Sequence, residues 1–223
     1  MSEPEICSMS FYLLGERAAV MQSNSERIDL RLQQQIWHIS SALAKTGSCI
    51  DLVPGMNNLT AIFDPLETNG AAILEKMQLF FEQANSLDLL GREVTIPVHY
   101  GGIAGPDLCE VAAHCGLNTR ELIELHTSAS YLVYFLGFQP GFAYLGGLPE
   151  RLNTPRRAVP RVAVPAGSVG IGGSQTGIYP ATSPGGWQII GRTKLPLFQI
   201  HRTPPSALLP GDTVRFVVEN DDA

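Results

Sequence analysis

Between Tyr134 and Trp187 the chain reads YFLGFQPGFAYLGGLPERLNTPRRAVPRVAVPAGSVGIGGSQTGIYPATSPGGW, and this stretch holds half of the 22 glycines and seven of the 16 prolines. Such a density of fixed φ angles and missing side chains rules out long helices here and favours short extended segments joined by turns. Its charged residues are Glu150, Arg151, Arg156, Arg157 and Arg161, a local positive excess inside a chain of formal net charge -6. Pro160 and Pro165 stiffen the backbone around the arginines, so Arg156, Arg157 and Arg161 are presented to a planar anion at low ordering cost.

The rest of the composition narrows the class of protein. With 223 residues, 44% of them hydrophobic and 16% charged, the chain can bury one large core or two small ones. A pI near 5.3 gives no general attraction to nucleic acid or to an anionic membrane, so the local arginines point to a small-molecule anion or one acidic partner surface. No run approaches the roughly 20 apolar residues of a membrane span, and the first residues lack the basic region of a secretory signal. Cys7, Cys49, Cys109 and Cys115 have neither CxxC spacing nor the pattern of a disulfide framework. A cytoplasmic protein is expected.

Periodicity divides the chain in two. Phe11–Leu14 and Ala18–Met21 read as a hairpin, and Ile28, Leu32, Ile36, Ile39 and Leu43 recur at helical spacing up to Gly47. Ser48–Val53 and Asn58–Phe63 form a second strand pair across a turn at Pro54–Asn57. A second helix runs over 69–84, with Ile73, Met77, Phe80 and Phe81 on its buried face. The order ββαββα predicts an α+β sandwich over residues 1–85, with a join at Ser86–Glu93. In residues 86–223, VTIPVHY is a strand whose Pro97 requires an edge or bulge. Asp107 with Glu110, and Asn118 with Glu121, have the spacing of capping boxes on two short helices. From Ser130 onward short strands are expected, among them Val162–Val164, Ser168–Gly172, Gln175–Tyr179, Gln188–Arg192, Leu197–Ile200 and Thr213–Val218, closing as a mainly-β barrel.

Several chemical motifs fail on their spacing. Gly170, Gly172 and Gly173 lack the third glycine of a dinucleotide loop and the lysine of a P-loop, and read as tight β turns. Ala166-Gly167-Ser168-Val169-Gly170 lacks the first glycine and the following helix of a nucleophile elbow. The five histidines show no metal-ligand spacing, and no metal site is expected. His99, at a strand end before a glycine loop, is the best candidate among them. His126, at a helix end, is the next, although a dipole role is the commoner reason for a histidine there. Gln175, Thr176, Tyr179 and Trp187 supply the polar and aromatic groups that an amide-reading pocket needs.

LGFQPGFAYLGGLP (136–149), TPRRAVPRVAVPAGSVGIGGSQTGIYP (154–180) and SPGGWQIIGRT (183–193), with PVHYGG, GPDL and PGDTVRF, closely resemble the 5-oxoprolinase B-subunit family, also called allophanate hydrolase subunit 1 or KipI-like. That resemblance implies a KipI-like α+β domain followed by a cyclophilin-like β-barrel. It implies a hydrolase component of a heteromeric complex, working with a carboxyltransferase-like C subunit and an A subunit, and opening 5-oxo-L-proline to L-glutamate with cleavage of ATP and Mg2+ as its companion. No nucleotide motif is present, so ATP is expected to be bound by the complex rather than by this chain alone. Within the matching motifs the candidate catalytic residues are His99, Arg161 and Gln175. The candidate substrate-binding residues are Tyr100, Phe138, Pro140, Arg156, Gly167, Ser168, Thr176, Tyr179 and Trp187. The same resemblance carries two alternatives: a non-catalytic module that inhibits a sensor histidine kinase, and a component of allophanate hydrolase or urea amidolyase.

Overall fold

The computed structural model describes residues 9–25, 29–84 and 91–219. Two compact units divide the chain, Met1–Leu89 and Leu90–Ala223. The expected join falls largely on residues 85–90, which, like Cys7 and Ile28, lie outside the described residues.

In the first unit, strands β1 (Met9–Leu14), β2 (Ala18–Ser23), β3 (Asp51–Gly55) and β4 (Asn58–Ile62) form an antiparallel sheet of order β1-β2-β4-β3. Helices α1 (Leu30–Thr46) and α2 (Gly70–Gln83) complete the expected ββαββα order. Helix α1 starts where the Asp29 carboxylate accepts the N–H groups of Arg31 and Leu32, and it stops at Gly47, whose φ of 65° suits a residue without Cβ. The core is made by alternate residues of β2 and β4 (Ala19, Met21, Leu59, Ala61) with the helical positions Leu32, Ile36, Ile39, Leu43, Ile73 and Met77. Pro54 and Gly55 are strand residues rather than turn residues. They lie on the edge strand β3, where a missing N–H is tolerated, and the turn shrinks to Met56 and Asn57.

The second unit contains β5 (Glu93–Tyr100), α3 (Leu108–His114), α4 (Thr119–Ser128), β6 (Tyr131–Leu136), β7 (Ala143–Gly146), β8 (Arg161–Val164), β9 (Ser168–Gly172), β10 (Gln175–Ile178), β11 (Ser183–Gly185), β12 (Gln188–Arg192) and β13 (Thr213–Val218). Seven of these strands close a barrel in the order β10-β7-β6-β13-β5-β12-β9, while β11 and β8 pair separately as a two-stranded ribbon. Closure leaves no sheet edge to protect. Ile96, Val98, Val133, Leu145, Val169, Ile171, Ile190 and Val214 fill the core of this unit, each fully buried.

Three expectations change. Leu197–Ile200 is not a strand: Phe198 makes a single bridge to Ser206, because Pro196 on one side and Pro204 and Pro205 on the other remove ladder donors. Pro97 sits within β5, which pairs with both β13 and β12. The Val98 carbonyl faces β13 and accepts from Glu219, so Pro97 faces the other flank, where β12 pairs only with His99 and Tyr100. Asp107 makes no capping hydrogen bond to α3, whereas Asn118 and Glu121 form the expected capping box on α4.

Candidate functional site

Three glycines of the central stretch, Gly170, Gly172 and Gly177, make room for one aromatic ring. Thr176 and Ile171 are directly opposed on β10 and β9 and point into the barrel core, so Gly172 and Gly177, one residue along, point outward. A Cβ at Gly172 would stand 2.5 Å from Trp187 Nε1, one at Gly177 3.0 Å from Trp187 Cζ3, and one at Gly170 3.2 Å from Trp187 Cβ. The bare wall is therefore a seat for Trp187. Of Gly170, Gly172 and Gly173, only Gly173, at φ +69°, fits the expectation of a tight turn.

Around Trp187 the rings of Phe142, Tyr144 and Tyr179 meet edge to face, at centroid distances from 5.0 to 6.5 Å, and with Val164 and Ile189 they form a small apolar cluster separate from the barrel core. Phe138, held at a φ of 63° that bulky residues rarely adopt, adds an exposed ring against Phe142 and Tyr179. The five aromatic rings line a pocket of about 220 Å³ together with Arg156, Arg157, Pro160, Pro184, Gly185 and Gly186. Burial pushes the Tyr179 phenol upward, opposed by a backbone hydrogen bond from Trp187 and by Arg156 and Arg161.

The arginines are organised by Asp107. Its Oδ1 accepts from Arg161 Nη2 at 2.6 Å and from Arg157 Nη1 at 3.2 Å, and its Oδ2 accepts from the Ile189 N–H at 2.6 Å. The carboxylate is thus consumed by one backbone group and two cations. Arg157 Nε and Arg161 Nη1 remain buried without a hydrogen-bond partner. Arg156 is exposed, with its guanidinium carbon 5.9 Å from the Trp187 ring centroid, within cation–π range. Asp107, Phe142 and Tyr144 are absent from the sequence-based candidates. The spacing of Asp107 to Glu110 suggests only a cap, while the FAY alternation leading into β7, placing Phe142 and Tyr144 in one cluster, is the signal that could find those two rings.

The remaining candidates lie elsewhere. Tyr100 and Thr176 belong to the barrel interior, where Thr176 Oγ1 donates to the Gly170 carbonyl at 3.0 Å. That leaves Thr176 to accept from His126 Nε2–H at 3.2 Å, and His126 Nδ1 to accept from the Tyr100 hydroxyl at 2.8 Å. His126 is stacked on Phe216, and burial lowers its pKa to about 3, so it is neutral and offers no charge to the helix dipole. Burial raises the Tyr100 phenol far above its ordinary range. His99 Nε2 lies 3.1 Å from Glu219 Oε2 and is not part of the pocket lining. Gly167 and Ser168 are wall residues: a Cβ at Gly167 would meet the Thr193 carbonyl at 2.1 Å, and Ser168 is 1% exposed. Pro140 and Phe138 border a second, shallower cleft with Phe198 and Ser206. Gln175 stands beside Gly172 at the start of β10, with a buried Nε2 that has no partner. Of the twelve candidates, the pocket gathers Phe138, Arg156, Tyr179 and Trp187, and Arg161 adjoins it through Asp107.

Residues 9–208 match the family described as carboxyltransferase domain, subdomain C and D. The 5-oxoprolinase B subunit of Escherichia coli O157:H7 is 50% identical over 210 residues, covering 94% of this chain and 96% of that protein. The corresponding B subunit of Haemophilus influenzae is 45% identical over 202 residues, covering 91% and 94%. The solved structure of TTHA0988 superimposes with a TM-score of 0.80 at 34% identity over 92% of this chain, which spans 40% of that longer one. With its aromatic and arginine pocket on a closed barrel and its likeness to these relatives along nearly its whole length, the chain belongs to the 5-oxoprolinase B-subunit family, among the carboxyltransferase-related proteins.

Proposed function

We propose that this chain is the B subunit of a heteromeric, ATP-dependent 5-oxoprolinase, and that the pocket over Trp187 contributes to the substrate site. The observation that carries this reading is a small aromatic pocket lined by Arg156 and Arg157, with Arg161 joined to Arg157 through Asp107, in a chain half identical to a protein named as that component. The domain reading goes with it: a KipI-like unit over residues 1–85 and a cyclophilin-like barrel over 86–223, associating with an A subunit and a carboxyltransferase-like C subunit.

Opening the lactam adds water's oxygen to the carbonyl carbon, with negative charge developing on the carbonyl oxygen, then breaks the C–N bond as a proton from that water passes to the departing nitrogen. The Arg157–Asp107–Arg161 cluster supplies a fixed positive field for that charge. Phe142, Tyr179 and Trp187 offer apolar faces to the ring and keep bulk water from it. ATP held by the assembled complex would supply a phosphoryl group that activates the carbonyl oxygen and leaves as inorganic phosphate. The pocket, at about 220 Å³, suits the lactam rather than a nucleotide, so the residues around Trp187 are assigned to the ring and its carbonyl.

The test is reconstitution. The purified A, B and C subunits together should release glutamate from 5-oxo-L-proline with ATP, and omission of this chain should abolish the reaction. Undiminished release without it defeats the reading.

A further inference from the structure

Arg156 differs from its neighbours in its bonding. Arg157 and Arg161 both spend a guanidinium N–H on Asp107, whereas Arg156 makes no ion pair with a carboxylate among the described residues. Its backbone is nonetheless fixed. The Pro155 carbonyl accepts from Gln188 Nε2 at 3.1 Å, and the Arg157 N–H donates to the Gly186 carbonyl at 2.7 Å. The residues on either side of Arg156 are thus pinned to the residues on either side of Trp187, and the guanidinium is held over the indole. A cation held in this way at a pocket mouth, without a counter-charge, is pre-organised for an anionic ligand. The anion it can reach is small: about 220 Å³ lies below the range of drug-sized sites and suits a single ring carrying one carboxylate.

We propose that Arg156 is the specificity-determining residue of this pocket, binding the free carboxylate of a small cyclic amino acid whose ring lies against Phe142, Tyr179 and Trp187. The site then takes the acid and rejects its amide, or the same ring at the head of a peptide. Arg157 and Arg161 do not serve this purpose, because Asp107 already offsets part of their charge and fixes their direction. The identity of the ring rests on the functional reading above. The preference for a carboxylate rests on Arg156 itself.

Equilibrium dialysis of labelled 5-oxo-L-proline and 5-oxo-L-prolinamide against the assembled complex tests this, with wild type, Arg156→Met and Arg156→Lys compared. Methionine retains an apolar stem against Trp187 and removes the charge. The wild type is expected to hold the acid about tenfold or more tighter than the amide, the scale of a charged hydrogen bond. Arg156→Met should lose about tenfold in acid affinity with the amide unchanged, and Arg156→Lys should recover part of the loss. Equal affinity for acid and amide overturns the proposal, as does unchanged acid binding by Arg156→Met, or no binding of either compound. A complex that binds the acid through Arg156 and releases no glutamate breaks the functional reading alone. One that releases glutamate at an unchanged KM after Arg156→Met breaks this inference alone.

Discussion

Two polar clusters of the barrel, one inside and one outside, differ in how completely their hydrogen bonds close. Inside, Tyr100, His126 and Thr176 form a neutral chain in which each donor has an acceptor and the last proton rests on the Gly170 carbonyl. Outside, one carboxylate, Asp107, serves two arginines and a backbone N–H, and two buried arginine nitrogens are left without partners. A closed neutral chain needs nothing further and fixes one arrangement of the core. A charged cluster short of acceptors is a place where an added anion lowers the free energy. Polar satisfaction thus separates scaffold from site here better than residue type does, since both clusters contain residues that sequence reasoning assigned to the same pocket.

The sharpest break in that contrast comes from removing the outer acceptor. Asp107→Ala leaves Arg157 and Arg161 facing each other and frees the Ile189 N–H, and the barrel should lose about 3 kcal/mol, the scale of a broken buried ion pair. Urea unfolding followed through Trp187 in a Trp37→Phe background measures it. A loss below about 0.5 kcal/mol would place Asp107 among ordinary surface carboxylates.

The inner chain should respond to pH instead. His126 titrates near 3 when folded and near 6.5 when unfolded, so below pH 6.5 the unfolded chain binds a proton that the folded chain refuses. Stability is then full above pH 6.5 and falls as pH drops towards 3, by roughly 3 kcal/mol at pH 4.5. Comparing urea midpoints of wild type and His126→Gln between pH 7 and 4.5 isolates this slope. An equal slope in both proteins would mean that His126 is not the group responsible.

Periodicity made the first unit readable almost element by element, because its helices and strands each bury one face and its caps use local chemistry. The barrel was readable as a class, from the density of Gly and Pro, but its site was not. Asp107 shows why: its spacing to Glu110 is that of a capping box, and only the return of the chain 50 and 54 residues later, with Arg157 and Arg161, gives it other partners. His126 misleads in the same way, since a helix-end position suggests solvent while β10 and β13 close over it. Nor does a glycine in a strand announce whether it makes a turn or leaves space for a ring arriving from 15 residues away, as Gly172 does for Trp187.

That last point yields a smaller test. Gly172→Ala places a methyl 2.5 Å from Trp187 Nε1, so the indole has to shift, at a cost of about 2 kcal/mol. Because Arg156 rests on that indole, acid binding should weaken along with stability. Gly173→Ala, where no atom lies within 4 Å but φ is +69°, should cost about 1 kcal/mol and leave binding unchanged. Identical binding in the two variants would mean that the Trp187 seat is unrelated to the site.

The finest discrimination concerns Gln175, whose buried Nε2 shares with the arginine cluster the lack of an acceptor and shares with the inner chain its lack of charge. If an unpaired donor marks a working group even outside the pocket lining, Gln175→Ala should hold stability within about 0.5 kcal/mol, because no hydrogen bond within the protein is lost, and should lower turnover several-fold. If the unpaired nitrogen is only an imperfection of packing, the same substitution relieves it and turnover stays at the wild-type value. Steady-state kinetics of the reconstituted complex, with the urea midpoint of the same preparation, tell these apart. Unchanged turnover would confine the rule linking unsatisfied donors with function to the charged cluster around Asp107.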